Sequence, residues 1–142
     1  MNEPATPPLQ GVIETSLYVD DLPRATAFYR DVLGLRLLDG SPRMSALDVN
    51  GRSLLLLFKR GGTADPVGVP GGIIPGHDGS GTSHFAFAID RANLEDWEQW
   101  LIARGVPIES RVTWPRGGRS LYFRDPDGNA VELATPGTWE TY

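Results

Sequence analysis

The sequence predicts an α+β protein made of two copies of one βαβββ unit. Three observations carry this expectation. The order strand, helix, three strands occurs twice along the chain. At one common offset, Glu14 falls on His84, Leu17 on Phe87, Val19 on Ile89 and Asp20 on Asp90. The glycines that stop the two helices, Gly34 and Gly105, keep nearly the same offset.

The elements follow in order. GVIETSLYV (11–19) is rich in β-formers and alternates in character, as a half-buried strand does. Asp20 or Asp21 can cap the following helix, Pro23 suits its first turn, and Leu22, Ala25, Phe28 and Val32 form its apolar stripe. Strands are expected near 36–39, 44–49 and 53–59, and Asn50–Gly51 supplies a tight turn between the last two. Residues 60–82 are dense in Gly and Pro and read as a linker or ordered loop without periodicity. The pattern then restarts with the strand SHFAFAID. A helix follows with Leu94, Trp97 and Leu101 on one face, then strands near 107–112, 119–124 and 129–134. The expected organisation is therefore a tail (1–10), a first module (11–59), the linker (60–82), a second module (83–136) and a short C-terminal tail (137–142), all one structural domain.

Composition narrows the function. The chain has 142 residues, 40% hydrophobic and 22% charged, and a net charge of −5. Its basic residues are scattered, so nucleic acid is not an expected partner. There is no cysteine, which removes disulfides, thiolate metal sites and cysteine nucleophiles. No apolar run approaches the roughly 20 residues of a membrane span, so no membrane partner is expected. MNEPATPPLQ lacks the features of a signal peptide, and a cytoplasmic location is expected.

Strand parity points to a site. Ile13, Leu17 and Val19 share one face of the first strand; Glu14, Ser16 and Tyr18 share the other. In the fifth strand, Phe85, Phe87 and Ile89 oppose His84, Ala86 and Ala88. In the last, Val131 and Leu133 oppose Ala130, Glu132 and Ala134. Each strand thus has a bulky face suited to helix cover. The other face is small and polar and carries one residue able to bind a metal. Alanines facing a packed core would leave destabilising voids, so the pattern favours a cavity beside His84.

These residues resemble the vicinal oxygen chelate superfamily, which includes glyoxalase I, small dioxygenases, and fosfomycin- and bleomycin-resistance proteins. LYVDDLPRATAFYRDVLGL looks like its first strand and helix, SHFAFAI like its fifth strand, and YFRDPDGNAVELATP like its closing hairpin. The likeness spans roughly 11–136. It implies two βαβββ modules whose curved sheets surround a site, in a homodimer. By position it implies metal ligation by Glu14, His84 and Glu132. The fourth ligand position of glyoxalase I falls on Leu55 or Leu56, neither of which can bind a metal, and Glu14 stands where many members have histidine.

One imidazole and two carboxylates suit a divalent metal such as Mn, Fe(II), Ni, Zn or Mg. Such a centre would grip vicinal oxygens of a small-molecule substrate and stabilise an enolate as a Lewis acid, with Glu14 or Glu132 as the catalytic carboxylates. Ser16, Tyr18, His77, Trp114, Arg116, Arg119 and Tyr122 are candidates to line the substrate pocket, the arginines as anion ligands. Asp125, Asp127, Gly128 and Asn129 read as turn formers, and Trp97 and Trp100 as packing residues. The leading expectation is a metal-dependent, glyoxalase-like enzyme with isomerase or lyase chemistry. A metal-free small-molecule binding protein of the bleomycin-resistance type is the alternative. A dioxygenase is a minor one, since its usual iron site wants a second histidine.

Overall fold

The computed structural model describes residues 3–142. The first module runs β1 (Glu14–Val19), α1 (Leu22–Asp31), β2 (Arg36–Gly40), β3 (Met44–Val49) and β4 (Ser53–Lys59). Its sheet has the order β1-β4-β3-β2, with β1 parallel to β4 and the rest antiparallel. A hairpin follows, β5 (Val67–Val69) and β6 (Gly72–Ile74). The second module repeats the plan with β7 (His84–Ala88), α2 (Leu94–Ala103), β8 (Ser110–Thr113), β9 (Arg119–Arg124) and β10 (Ala130–Ala134). Its order is β7-β10-β9-β8, again with the first and last strands parallel. The expected α+β architecture of two βαβββ modules is the one observed.

Local chemistry explains the boundaries. The Asp21 side chain accepts from the Arg24 backbone N–H at 3.1 Å and caps α1, with Pro23 in the first turn. Asn50 and Gly51 both take positive φ, at 56° and 67°, as a tight hairpin turn between antiparallel strands requires.

The bulky faces of both sheets and the two helices share one core. Leu17, Val19, Leu47, Leu55 and Leu57 of the first module join Leu121, Phe123, Val131 and Leu133 of the second, with Leu22, Ala25, Leu94 and Leu101 from the helices. Tyr29 is fully buried in it. Its hydroxyl donates to Asp125 Oδ2 at 2.7 Å. Asp125 also accepts from the backbone N–H groups of Asp127 (3.0 Å) and Asn129 (2.9 Å) and from Asn129 Nδ2 (2.9 Å). The DPDGN turn is thus a satisfied carboxylate clamp that ties α1 of the first module to the closing hairpin of the second. Burial, then the adjacent Asp125 charge, push the Tyr29 hydroxyl far above its ordinary value.

Two expectations are corrected and a third is made specific. The buried face of α1 is Leu22, Ala25, Thr26 and Tyr29, with Phe28 and Val32 only partly buried. Tyr29 replaces them because its hydroxyl finds a carboxylate inside, and Thr26 because its hydroxyl bonds Leu22 O and Ser45 Oγ. The first strand starts at Glu14 rather than residue 11, and Ile13 is 66% exposed. The segment 60–82 holds the β5–β6 hairpin and is fastened at several points. His77 N donates to Thr63 O (2.8 Å), Thr63 Oγ1 to His77 O (2.7 Å), and Arg60 Nη1 to Gly79 O (3.0 Å). Among the described residues no helix is long and apolar enough to cross a membrane.

Candidate functional site

Two of the expected ligands meet on the polar face of the second sheet. His84 Nδ1 lies 2.9 Å from the carbonyl oxygen of Ala130. A carbonyl only accepts, so Nδ1 carries the hydrogen and donates, leaving the Nε2 lone pair facing outward. Nε2 lies 3.3 Å from Glu132 Oε1. At that separation the imidazole nitrogen and the carboxylate oxygen are close enough to bind one cation together. A histidine fixed through its other nitrogen by a carbonyl is the usual outer arrangement of a metal ligand.

Glu132 is itself held. Its side chain is only 7% exposed. Oε2 accepts from Ser120 Oγ at 2.5 Å, and Ser120 Oγ accepts from Trp114 Nε1–H at 2.8 Å. The β9–β10 register sets this up: Tyr122 lies opposite Glu132, and Ser120 shares its face two residues along. Tyr122 stacks against His84 with centroids 6.0 Å apart. Burial and the Glu132 charge raise its hydroxyl above the ordinary value, so it stays a neutral phenol at neutral pH.

Glu14 stands elsewhere. Among the described residues of a single chain, no three His, Asp or Glu side chains gather closely enough to hold a metal. The reason is the shared core: the modules join through their bulky faces, so their polar faces do not enclose a common cavity. Glu14, Ser16 and Tyr18 line a separate cavity of about 830 Å³ on the first sheet, together with His77 and the β5–β6 hairpin. Every lining residue of that cavity belongs to the segment 14–77. Glu14 is exposed and makes no ion pair among the described residues.

The parallel registers fix the fourth ligand position. His84 pairs with Ala130 and Ala86 with Glu132. In the first module Glu14 pairs with Leu54 and Ser16 with Leu56. Glu132 therefore corresponds to Leu56, which lines the cavity, whereas Leu55 is 1% exposed in the core.

The remaining candidates divide. Tyr18 hydroxyl and His77 Nδ1 are hydrogen-bonded at 2.6 Å within the first cavity. Trp114 and Tyr122 belong to the His84–Glu132 side. Arg116 is an exposed turn residue. Arg119 is exposed, and alternation along β9 puts it on the face of Leu121 and Phe123, opposite Ser120 and Tyr122. The turn between them is tight because a side chain at Gly118 would meet Gly137 and Thr138 backbone atoms at 2.3 Å. Ser120 was missed in sequence. Its only signal is parity, since it shares a strand face with Tyr122.

Two βαβββ modules, each a four-stranded sheet with its first and last strands parallel, define the glyoxalase class of fold. The chain belongs to the Glyoxalase/Bleomycin resistance protein/Dioxygenase superfamily, whose model matches residues 11–133. It is 30% identical over 129 residues to metallothiol transferase FosB of Staphylococcus saprophyticus, covering 89% of this chain and 78% of that protein. It is 36% identical over 122 residues to biphenyl-2,3-diol 1,2-dioxygenase 3 of Rhodococcus globerulus, covering 82% of this chain and 58% of that one. The crystal structure of lactoylglutathione lyase from Agrobacterium tumefaciens matches with a TM-score of 0.86 at 37% identity, covering 94% of this chain and 99% of that one. These names denote three different reactions, so membership does not by itself fix the chemistry.

Proposed function

We propose that the protein is a metal-dependent, glyoxalase-like enzyme acting on a small molecule bound through vicinal oxygens, with isomerase or lyase chemistry. The observation that carries this reading is the His84–Glu132 pair. Its donors converge, its imidazole tautomer is set by Ala130 O, and its carboxylate is held by Ser120 and Trp114. Such donors fit a divalent cation of the Mn, Fe(II), Ni, Zn or Mg kind. A cation there would supply Lewis-acid stabilisation of negative charge on the substrate oxygens.

Glu14 completes the set from a second copy of the chain. β1 and β7 are each paired on one side only, so each offers a free edge. Pairing β1 of one copy with β7 of another would bring Glu14, on the same repeat position as His84, to the His84–Glu132 face. The site would then draw on both modules, one from each subunit of a homodimer. Within it His84, Glu132 and the exposed Glu14 carboxylate of the second copy are ligands, and a carboxylate of the set accepts the substrate proton. Tyr122, kept neutral, offers a phenolic donor beside them.

The test is reconstitution of untagged protein with Mn(II), Fe(II), Ni(II) and Zn(II), followed by metal analysis. About one metal per chain, lost in His84→Ala, supports the reading. No metal under any condition refutes it. In that case the 830 Å³ cavity of the first sheet favours the second reading, a metal-free binding protein.

A further inference from the structure

The cavity of the first sheet is built for a different task from the metal-ligand pair. Its floor is Leu54, Leu56 and Phe58 of β4; its roof is Val67, Val69 and Ile74 of the hairpin. Its polar lining includes Ser16, Ser41, Arg43 and Thr63, and β1 carries a polar group at each end of its run along the cavity. Glu14 marks one end, and Tyr18 with His77 marks the other. Four residues along a strand separate Glu14 from Tyr18, about 13 Å between their Cα atoms.

The Tyr18–His77 pair is held rather than incidental. His77 lies edge-on to Phe58 with centroids 4.7 Å apart. Its backbone is bonded twice to Thr63. Gly79 lies so close over the Tyr18 ring that an added Cβ would meet it at 2.4 Å. In either tautomer, the hydrogen bond at 2.6 Å between the Tyr18 hydroxyl and His77 Nδ1 leaves one donor hydrogen over. Both residues line the cavity.

Charge argues in the same direction. Arg43 and Glu14 are the charged lining residues, so a compact, multiply charged oxyanion would meet a single cation, an opposing carboxylate and, besides a few hydroxyls, a largely apolar wall. Filling such a wall with an apolar body is favourable by about 25 cal/mol per Å² removed from water. An elongated apolar body with polar ends fits the volume, the lining and the spacing.

From this geometry we infer that the substrate has an aryl or comparably apolar body, with its chelating end at Glu14 and an oxygen-bearing far end held by Tyr18 and His77. The inference rests on the proposed function for the placement of the chelating end; its test does not need the metal.

The probe is 4-phenylphenol, titrated calorimetrically into the full-length protein, with methylphosphonate as the compact anion and metal content measured on the same samples. Wild-type protein is expected to bind 4-phenylphenol and to bind methylphosphonate at least tenfold more weakly. Leu56→Trp fills the cavity and should weaken 4-phenylphenol at least tenfold. Ile74→Glu puts a charge in the roof from an exposed position, so it tests the cavity even if the Trp variant misfolds; the same loss is expected. His77→Phe keeps the ring against Phe58 and removes the nitrogens, and should weaken the probe about three- to tenfold. Absent wild-type binding, equal binding by Ile74→Glu, or preference for methylphosphonate overturns the inference. Unchanged affinity in His77→Phe overturns the contribution of His77 to the far-end contact. Probe binding by protein that takes up no metal defeats the proposed function and the placement of the chelating end, and leaves the apolar body and the far-end contact standing.

Discussion

Replacing Ser120 by Ala tests whether Glu132 is positioned for metal. Ser120 supplies the hydrogen bond to Glu132 Oε2 and receives the Trp114 indole N–H. The Glu132 side chain is 7% exposed, so bulk water replaces the lost donor poorly. Losing an outer-shell partner of a ligand typically costs 10- to 100-fold in metal affinity, which is about 1.4 to 2.7 kcal/mol. A hydrogen bond to a charged group, about 1.5 to 3 kcal/mol, gives the same range independently. The assay is calorimetric titration of chelator-treated protein with Mn(II) or Zn(II). Ser120→Ala should weaken binding by that factor, and Ser120→Thr, which keeps the hydroxyl, should recover most of it. Trp114→Phe should cost less, because Ser120 still reaches Glu132. Wild-type affinity in Ser120→Ala, with affinity lost in His84→Ala, would refute the positioning argument.

Other expectations concern the scaffold. Tyr29→Phe leaves Asp125 one donor short and should lower stability by about 1.5 to 3 kcal/mol at neutral pH, read from denaturant unfolding. The folded state raises the Tyr29 value, so its contribution is whole below pH about 10 and is lost as pH rises above that. The wild type should therefore show a steeper alkaline loss of stability than Tyr29→Phe, in unfolding curves between pH 9 and about 11.5. Leu121→Ala, at a site 1% exposed, should cost about 2 to 5 kcal/mol in the same assay. Arg60 bonds Asp20, Tyr18 O and Gly79 O. Arg60→Ala should thus raise amide exchange across 76–82 while leaving β7 to β10 protected; unchanged exchange would show that Thr63 alone fastens the segment.

Much of this fold was legible because its local signals agree with one another. Asp21, Gly34 and the Asn50–Gly51 turn each did what its chemistry suggests, and strand parity separated Leu17 and Val19 from Glu14, Ser16 and Tyr18. What escaped depends on contacts distant in sequence. Tyr29 counts as amphipathic until Asp125 is placed beside it. The β5–β6 strands are three residues each, inside a Gly/Pro-rich run, too short for periodicity. Parity assigns a residue to a face but does not say which faces meet. It therefore put Glu14, His84 and Glu132 on equivalent faces, without showing that one chain turns Glu14 away from the other two. The register of β1 with β4 also distinguishes Leu56 from Leu55, which sequence left open.

Subunit mixing most directly tests the central claim that His84 and Glu132 of one copy act with Glu14 of another. Glu14→Ala and His84→Ala proteins are purified separately, then unfolded together and refolded, and metal content is measured before and after. Each alone should hold little metal. A random mixture should recover about a quarter of the wild-type occupancy, because each mixed dimer regains one intact site. Full occupancy in Glu14→Ala alone, or no recovery on mixing while the wild type refolds with its metal, would contradict the claim.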